Sequence, residues 1–390
     1  MTVPDRTCEP DQPPGDLLAA LRIIDADFNR AAEGLRVVEE HCRFALGDRH
    51  LTERCKQLRH GLTAALAAIP QNHLHAARET QADVGTDITT PSEGSRKSLA
   101  HVAAANWQRL EQSLRAIEEY SKLIAPDIAP RIESLRYQAY TLAKACTTTA
   151  DSQERLANAR LYVLLDGRSS ECEFVERAQE LISAGVHVLQ LRDKRLDDRT
   201  LLSRARLLRR IIDDASRPTP DSRPSPPDSR PLNPEPRTLN PLVILNDRPD
   251  IAALARADGV HLGQNELSVH DARQIVGPDM LVGVSAHSIE QARQAVLDGA
   301  SYLGCGPTFP SGTKHFDRFP GLDFLRQVAA EIALPAFAIG GVTPENLPQV
   351  LATGIRRIAI GGAIAVAVDP SLVIKQILAQ VICDSNSPGR

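Results

Sequence analysis

The sequence predicts an α/β protein: a (β/α)8 TIM barrel preceded by an all-α helical-bundle domain. Three observations predict it. Residues 160–383 contain eight short Val/Ile/Leu-rich runs, most separated by amphipathic stretches, over about 220 residues. Residues 16–150 are dominated by Ala, Leu, Arg and Glu and lack strand-like alternation. Seven of the apolar runs in the second half end in a polar or glycine-rich cluster, where a buried parallel strand would hand over to a helix.

Length and composition set the frame. A chain of 390 residues is long for one domain and suits two. With 42% hydrophobic and 24% charged residues it can build a core without staples. A net charge of −4 gives no case for nucleic-acid or anionic-membrane binding. No apolar run approaches the ~20 residues of a membrane span. The opening MTVPDRTCEPDQPPGD is polar and proline-rich, unlike a signal peptide. Residues 1–15 and 384–390 are expected to be tails, the first disordered. The seven cysteines are odd in number, scattered and without a CxxC pair, which suits reduced thiols in a cytoplasm.

The helical half carries an internal repeat. FNRAAEGLRVVEEH (28–41) matches WQRLEQSLRAIEEY (107–120), aligning Phe28 with Trp107, Arg30 with Arg109 and Glu39-Glu40 with Glu118-Glu119. RCKQLRH (54–60) then resembles RIESLRY (131–137). A duplicated two-helix unit, packed as a bundle of about four helices, accounts for both matches. Asp48 and Asp127 stand where N-caps would start each second helix. The polar stretch 78–97 reads as a loop. The Arg36/Glu39/Glu40 and Arg115/Glu118/Glu119 sets read as helix-surface ion pairs or interhelical links. They suggest a structural or interaction role for this half, a homo-oligomer contact included, with a separate catalytic site as the alternative.

The strands are expected near 160–165, 186–191, 242–246, 259–262, 281–284, 301–304, 335–339 and 356–360. One proline-rich stretch, 216–241, contains PDSRP twice and cannot build a core. It reads as a disordered insert before the third strand, on the rim opposite the strand ends that carry the polar clusters.

Those clusters carry the chemistry. In LQLRDK (189–194), strand periodicity sends Gln190, Arg192 and Lys194 to one side, a cationic trio suited to a polyanion. Asn246 and Asp247 end the third strand and Glu266 follows the fourth. Two acids on neighbouring strand ends fit Mg²⁺, which takes few protein carboxylates plus water and phosphate oxygens. Asp247 alone could instead cap the next helix. His261 and His287 read as packed or hydrogen-bonded rather than as zinc ligands. Ser285 ends the fifth strand, free to meet a phosphate or a ring nitrogen. The sixth runs into GCGPTFPSGTK, offering Ser311, Thr313 and Lys314. Gly340-Gly341 and Gly361-Gly362 end strands seven and eight, where such barrels often cradle a phosphate with backbone N–H groups. A cationic, metal-assisted site and a neutral glycine cradle over one mouth imply group transfer between two phosphorylated substrates, pyrophosphate leaving.

The succession LQLR-K, ND, GVHLGQ, GVSAH, GPTFPSGTK and IGG closely resembles the thiamine-phosphate synthase (thiamine-phosphate pyrophosphorylase) family over 160–383. The resemblance implies that Gln190, Arg192, Lys194, Asn246 and Lys314 hold the pyrophosphate of hydroxymethylpyrimidine diphosphate. It implies that Asp247 and Glu266 hold Mg²⁺ and that Ser285 contacts the pyrimidine. Ser311, Thr313, Gly341, Gly361 and Gly362 would hold the phosphate of the thiazole partner, and Lys194, Ser285 and Lys314 would carry the catalysis. Three positions depart from the family pattern. Glu266 replaces the usual Asp, Ser311-Gly312-Thr313 replaces Thr-x-Thr, and Gly362 stands where serine is frequent. The helical half resembles an N-terminal extension on some bacterial members. A thiazole tautomerase or a phosphate-ligand-binding regulatory module would be the rival on this fold. The tautomerase would not need the cationic trio or the acid pair.

Overall fold

The computed structural model describes residues 14–81, 83–84, 95–215, 240–310 and 320–385. It divides into two compact units, Met1–Thr147 and Thr148–Arg390.

The first unit is helical. Helix α1 (Pro14–Glu40) begins just inside the stretch read as a tail and continues into a π-helical segment, His41–Leu46. Gly47 ends that segment in the left-handed region, at φ 69°. Helix α2 (Arg49–Leu66) starts where expected, with the Asp48 carboxylate accepting from the Leu51 N–H at 2.7 Å. A short α3 (Gln71–Ala77) precedes α4 (Leu99–Ile124), which Ser98 caps, and most of α5 (Ala129–Arg155), which runs on past Thr147, completes the unit. Asp127 is a correction. It lies inside a 3₁₀ turn, Pro126–Ile128, because Pro126 fixes φ and starts the turn one residue ahead of it.

The repeat is visible in three dimensions. Glu39 and Glu118 are 2% and 4% exposed, so these two are interhelical links rather than surface pairs. Glu39 accepts from Arg59 Nε at 3.3 Å, and its counterpart Glu118 accepts from Arg136 Nε at 2.8 Å. Arg59 and Arg136 are themselves equivalent in the second matched segment, so the duplication reproduces its own ion pair. Glu40 and Glu119 do form surface pairs, with Arg36 and Arg115. Three free thiols, Cys42, Cys55 and Cys146, meet inside the bundle, with Cys42 Sγ 3.3 Å from Cys146 Sγ and 3.9 Å from Cys55 Sγ.

The second unit is a closed parallel barrel, each strand paired with its sequence neighbours and β8 with β1. The strands are β1 (Leu161–Leu165), β2 (Val188–Leu191), β3 (Leu242–Asn246), β4 (Gly259–Leu262), β5 (Leu281–Ala286), β6 (Tyr302–Cys305), β7 (Ala336–Ile339) and β8 (Arg357–Ile360). Helices α6 (Glu171–Ser183), α7 (Asp198–Ala215), α8 (Pro249–Ala255), α9 (Val269–Val276) and α10 (Ile289–Asp298) follow β1 to β5 in turn. Helices α11 (Gly321–Glu331) and α12 (Leu347–Leu351) follow β6 and β7. The chain ends in α13 (Gly362–Ala365) and α14 (Pro370–Ser385), which extends two residues into the expected C-terminal tail. Most of the proline-rich insert, 216–239, lies outside the described residues.

The barrel interior is a packed core. Tyr162, Val188, Ile244, Leu281, Tyr302, Phe337 and Ala359 form it, above Leu156 and Ala159. Strand β4 contributes only Gly259 at this level, because a Cβ there would meet Ile244 Cδ1 at 2.6 Å and Leu281 Cβ at 2.8 Å. Two-residue periodicity then carries Gln190, Asn246, His261 and Gly304 to the interior side one step nearer the strands' C-terminal ends, and Ser285 two steps beyond Leu281, past Gly283.

Candidate active site at the C-terminal mouth of the barrel

Gln190 is 3% exposed, on the interior side of β2. Beyond Leu191 the strand ends, so periodicity no longer places side chains. Arg192 still extends the ladder, its N–H donating to the Leu165 carbonyl at 2.8 Å. The loop that follows is braced by Asp193. Its carboxylate accepts from the Gly167 N–H at 3.2 Å and from Arg195 Nη2 at 2.7 Å. The Arg195 guanidinium beside it, aided by these backbone N–H donors, holds the Asp193 carboxyl down to about 2. This brace sets the height of Lys194, whose Nζ lies 3.2 Å from Asp247 Oδ2 at the end of β3.

Asp247 has an uncommon backbone. Its φ is 63°, a left-handed conformation that side chains enter at a cost and that Asp and Asn tolerate best. Its N–H donates to the His261 carbonyl at 2.8 Å, so the strain accompanies a preserved link to β4. It does not cap α8. Arg248 occupies that position, held by Asp250 and Asp198. After β4, Gln264 Nε2 donates to the Ser285 carbonyl. The exposed Glu266 carboxylate folds back over Gly263, where a Cβ would come within 2.1 Å of Glu266 Oε2.

Ser285 on β5 is half-buried, with Oγ 3.0 Å from His261 Nε2. Both histidines are hydrogen-bonded, as the sequence suggests. The His287 ring bonds the Gly306 carbonyl, which can only accept, so Nδ1 carries the proton.

The opposite side of the mouth is built from backbone. Gly340 and Gly341 have φ of 95° and 68°, and a Cβ on Gly341 would lie 2.9 Å from Phe309 Cβ. Phe309 N–H donates to the Gly340 carbonyl at 2.9 Å, and Asn346 Nδ2 to the Gly341 carbonyl at 2.8 Å. Gly361 opens α13, where the Ile364 and Ala365 N–H groups both donate to its carbonyl at 3.0 Å. Gly362 is exposed with open space where a Cβ would be, so packing does not demand glycine there. Ser311, Thr313 and Lys314 lie outside the described residues. Sequence reading missed Asp193, Tyr302 and Asn346. Gly283 was the available signal for Tyr302, since a lone glycine inside a strand marks a close approach.

The second unit is thus a (β/α)8 barrel with Lys194 and Asp247 on one side of its mouth and the positive-φ pair Gly340-Gly341 on the other. The family described as thiamine monophosphate synthase matches residues 233–364, and the ThiD2 family matches residues 22–145. The thiamine-phosphate synthase of Rhodopirellula baltica is 44% identical over 355 residues, 88% of each chain. That of Gloeobacter violaceus is 40% identical over 350 residues, 90% of this chain and 93% of the relative. Among solved structures, a thiamine phosphate pyrophosphorylase from Pyrococcus furiosus is 28% identical with a TM-score of 0.47, covering 58% of this chain and 96% of that one. The chain belongs to the thiamine-phosphate synthase family.

Proposed function

We propose that the barrel transfers the pyrimidinylmethyl group of 4-amino-2-methyl-5-hydroxymethylpyrimidine diphosphate to the ring nitrogen of 4-methyl-5-(2-phosphoethyl)thiazole, or its carboxylated form. The products are thiamine phosphate and pyrophosphate. The observation that carries this reading is the Lys194–Asp247 pair, 3.2 Å apart on adjacent strand ends, sharing a mouth with the glycine turns after β7 and β8.

In this reading Gln190, Arg192, Lys194, Asn246 and Lys314 hold the diphosphate, and the cations among them stabilise charge growing on the departing pyrophosphate. The C–O bond between methylene and diphosphate breaks, and the thiazole nitrogen lone pair forms the new C–N bond. Ser285 contacts the pyrimidine. Ser311, Thr313, Gly341, Gly361 and Gly362 fix the thiazole phosphate so that its nitrogen faces the methylene carbon. No covalent enzyme intermediate is required.

Asp247 and Glu266 suit Mg²⁺. Among the described residues no group of three or more His, Cys, Asp or Glu forms a metal cage, and Mg²⁺ does not need one when substrate oxygens and water complete its shell. Asp247 already attracts a cation, Lys194, which is the behaviour expected of a metal-facing carboxylate. When bound, the ion would supply positive charge against the diphosphate oxygens. No helix among the described residues is long and apolar enough to cross a membrane, and the six described cysteines are free, which supports a cytoplasmic enzyme. The helical unit is assigned an interaction role, self-association included, supported by the exposed Tyr137 and Leu123.

Replacing Lys314 or Lys194 with Ala tests the scheme. Pyrophosphate release should fall by at least about a hundredfold with unchanged thermal unfolding. Near-normal rates in both variants would remove the cationic site from the mechanism.

A further inference from the structure

A hydrogen-bonded chain runs from the barrel core to the mouth. Tyr162 Oη lies 3.1 Å from Tyr302 Oη, Tyr302 Oη 3.3 Å from His261 Nδ1, and His261 Nε2 3.0 Å from Ser285 Oγ. Two glycines make room for it. A Cβ on Gly283 would sit 2.1 Å from Tyr302 Cζ, and one on Gly304 would sit 3.0 Å from His261 Cε1. The imidazole and the Tyr302 ring lie 5.6 Å apart, tilted by 30°.

Counting donors fixes the direction of the chain. Tyr302 and Tyr162 are 1% and 3% exposed, and burial pushes both phenols up, so each keeps its proton. Tyr162 Oη has no second hydrogen-bond partner among the described residues, so its proton must go to Tyr302 Oη. The Tyr302 proton then has one remaining acceptor, His261 Nδ1. That leaves the imidazole neutral with its proton on Nε2, donating to Ser285 Oγ. The opposite direction, or a doubly protonated ring, strands a phenol proton in the core without an acceptor. With its oxygen occupied as an acceptor from His261, Ser285 turns its own proton outward.

We propose that His261 and Tyr302 are positioning residues that commit the Ser285 hydroxyl to donating into the mouth, toward a ring-nitrogen acceptor of the aminopyrimidine substrate. This rests on the reading of Ser285 as the pyrimidine contact. A site that presents a directed donor favours a heteroaromatic ring with a lone pair at that edge over an isosteric ring carrying C–H there.

The test is a double-mutant cycle on the full chain. The Tyr162→Phe/Tyr302→Phe variant removes both phenols and so leaves no orphaned proton. It should lower kcat/KM for the pyrimidine diphosphate about tenfold and leave KM for the thiazole phosphate unchanged. Gly304→Ala, which crowds the imidazole while keeping every polar group, should act in the same way and stands in if the phenol variant does not fold. In a Ser285→Ala background neither change should lower the rate further. An equal loss in both backgrounds overturns the proposal, because it reports packing. A wild-type rate in the phenol variant and in Gly304→Ala, with Ser285→Ala impaired, overturns the relay alone. A wild-type rate for Ser285→Ala overturns the reading of Ser285 and the relay with it.

Discussion

Replacing Asp247 with Asn separates chemistry from folding. Asn is among the few residues that accept the left-handed backbone at φ 63°, and the N–H bond to the His261 carbonyl is untouched. What is lost is a carboxylate charge facing Lys194 at 3.2 Å, in a pair whose side chains are 21% and 61% exposed. At that distance the attraction in water is about 1.3 kcal/mol. Side-chain entropy and screening reduce an exposed pair to roughly 0–1 kcal/mol of stability. The catalytic loss should be much larger. In the proposed scheme this charge would hold Mg²⁺ and orient Lys194 toward the leaving pyrophosphate, so the rate should fall at least about a hundredfold, or roughly 2.7 kcal/mol. Asp247→Ala should lose the same activity plus about 1–2 kcal/mol of stability, because Ala pays the left-handed penalty in full. Pyrophosphate release at saturating substrates, across a Mg²⁺ titration, with denaturant unfolding alongside, measures both quantities. An Asn variant that keeps more than about a tenth of the rate at unchanged Mg²⁺ dependence would refute the reasoning.

Three further outcomes follow from named contacts. Gly341→Ala meets Phe309 at 2.9 Å from a positive-φ position, so it should cost about 1–3 kcal/mol and raise KM for the thiazole phosphate only; Gly362→Ala, with open space at its Cβ, should leave stability unchanged. The Asp193 carboxyl is held down to about 2, so its contribution to stability is present above the unfolded value near 3.9 and is lost as pH falls toward 2. The stability gap between the wild type and Asp193→Asn should therefore narrow between about pH 4 and pH 2 in urea unfolding. In the helical unit, Glu118→Ala should cost about 1–3 kcal/mol by leaving Arg136 with Tyr140 as its remaining partner, while Glu119→Ala, on the surface, should stay within about 0.5 kcal/mol in thermal melts.

The barrel was legible because each strand is buried on both faces and so reads as a continuous apolar run with turn chemistry at its end. Asp48 was legible as a cap because its carboxylate needs only the N–H three residues on. Asp127 looked equivalent and was not, since Pro126 alters the local backbone. The burial of Glu39 and Glu118 depends on how two helices face each other, which a single-helix pattern does not encode. Likewise, Tyr302 reads as an ordinary apolar strand residue. Only the register that sets it beside Gly283, with Ser285 two residues further along that strand, gives its hydroxyl a role. The Lys194–Asp247 approach was anticipated only as two residues on one rim. Its 3.2 Å closeness depends on the Asp193 brace and the left-handed turn at Asp247.

Product formation by the full-length protein is the most direct measurement. Given both substrates and Mg²⁺, it should release thiamine phosphate and pyrophosphate in equal amounts, and almost none with either substrate alone or with the divalent ion chelated. Undiminished turnover under chelation, or pyrophosphate appearing at the same rate without the thiazole phosphate, would contradict a metal-assisted transfer between two occupants of one barrel mouth.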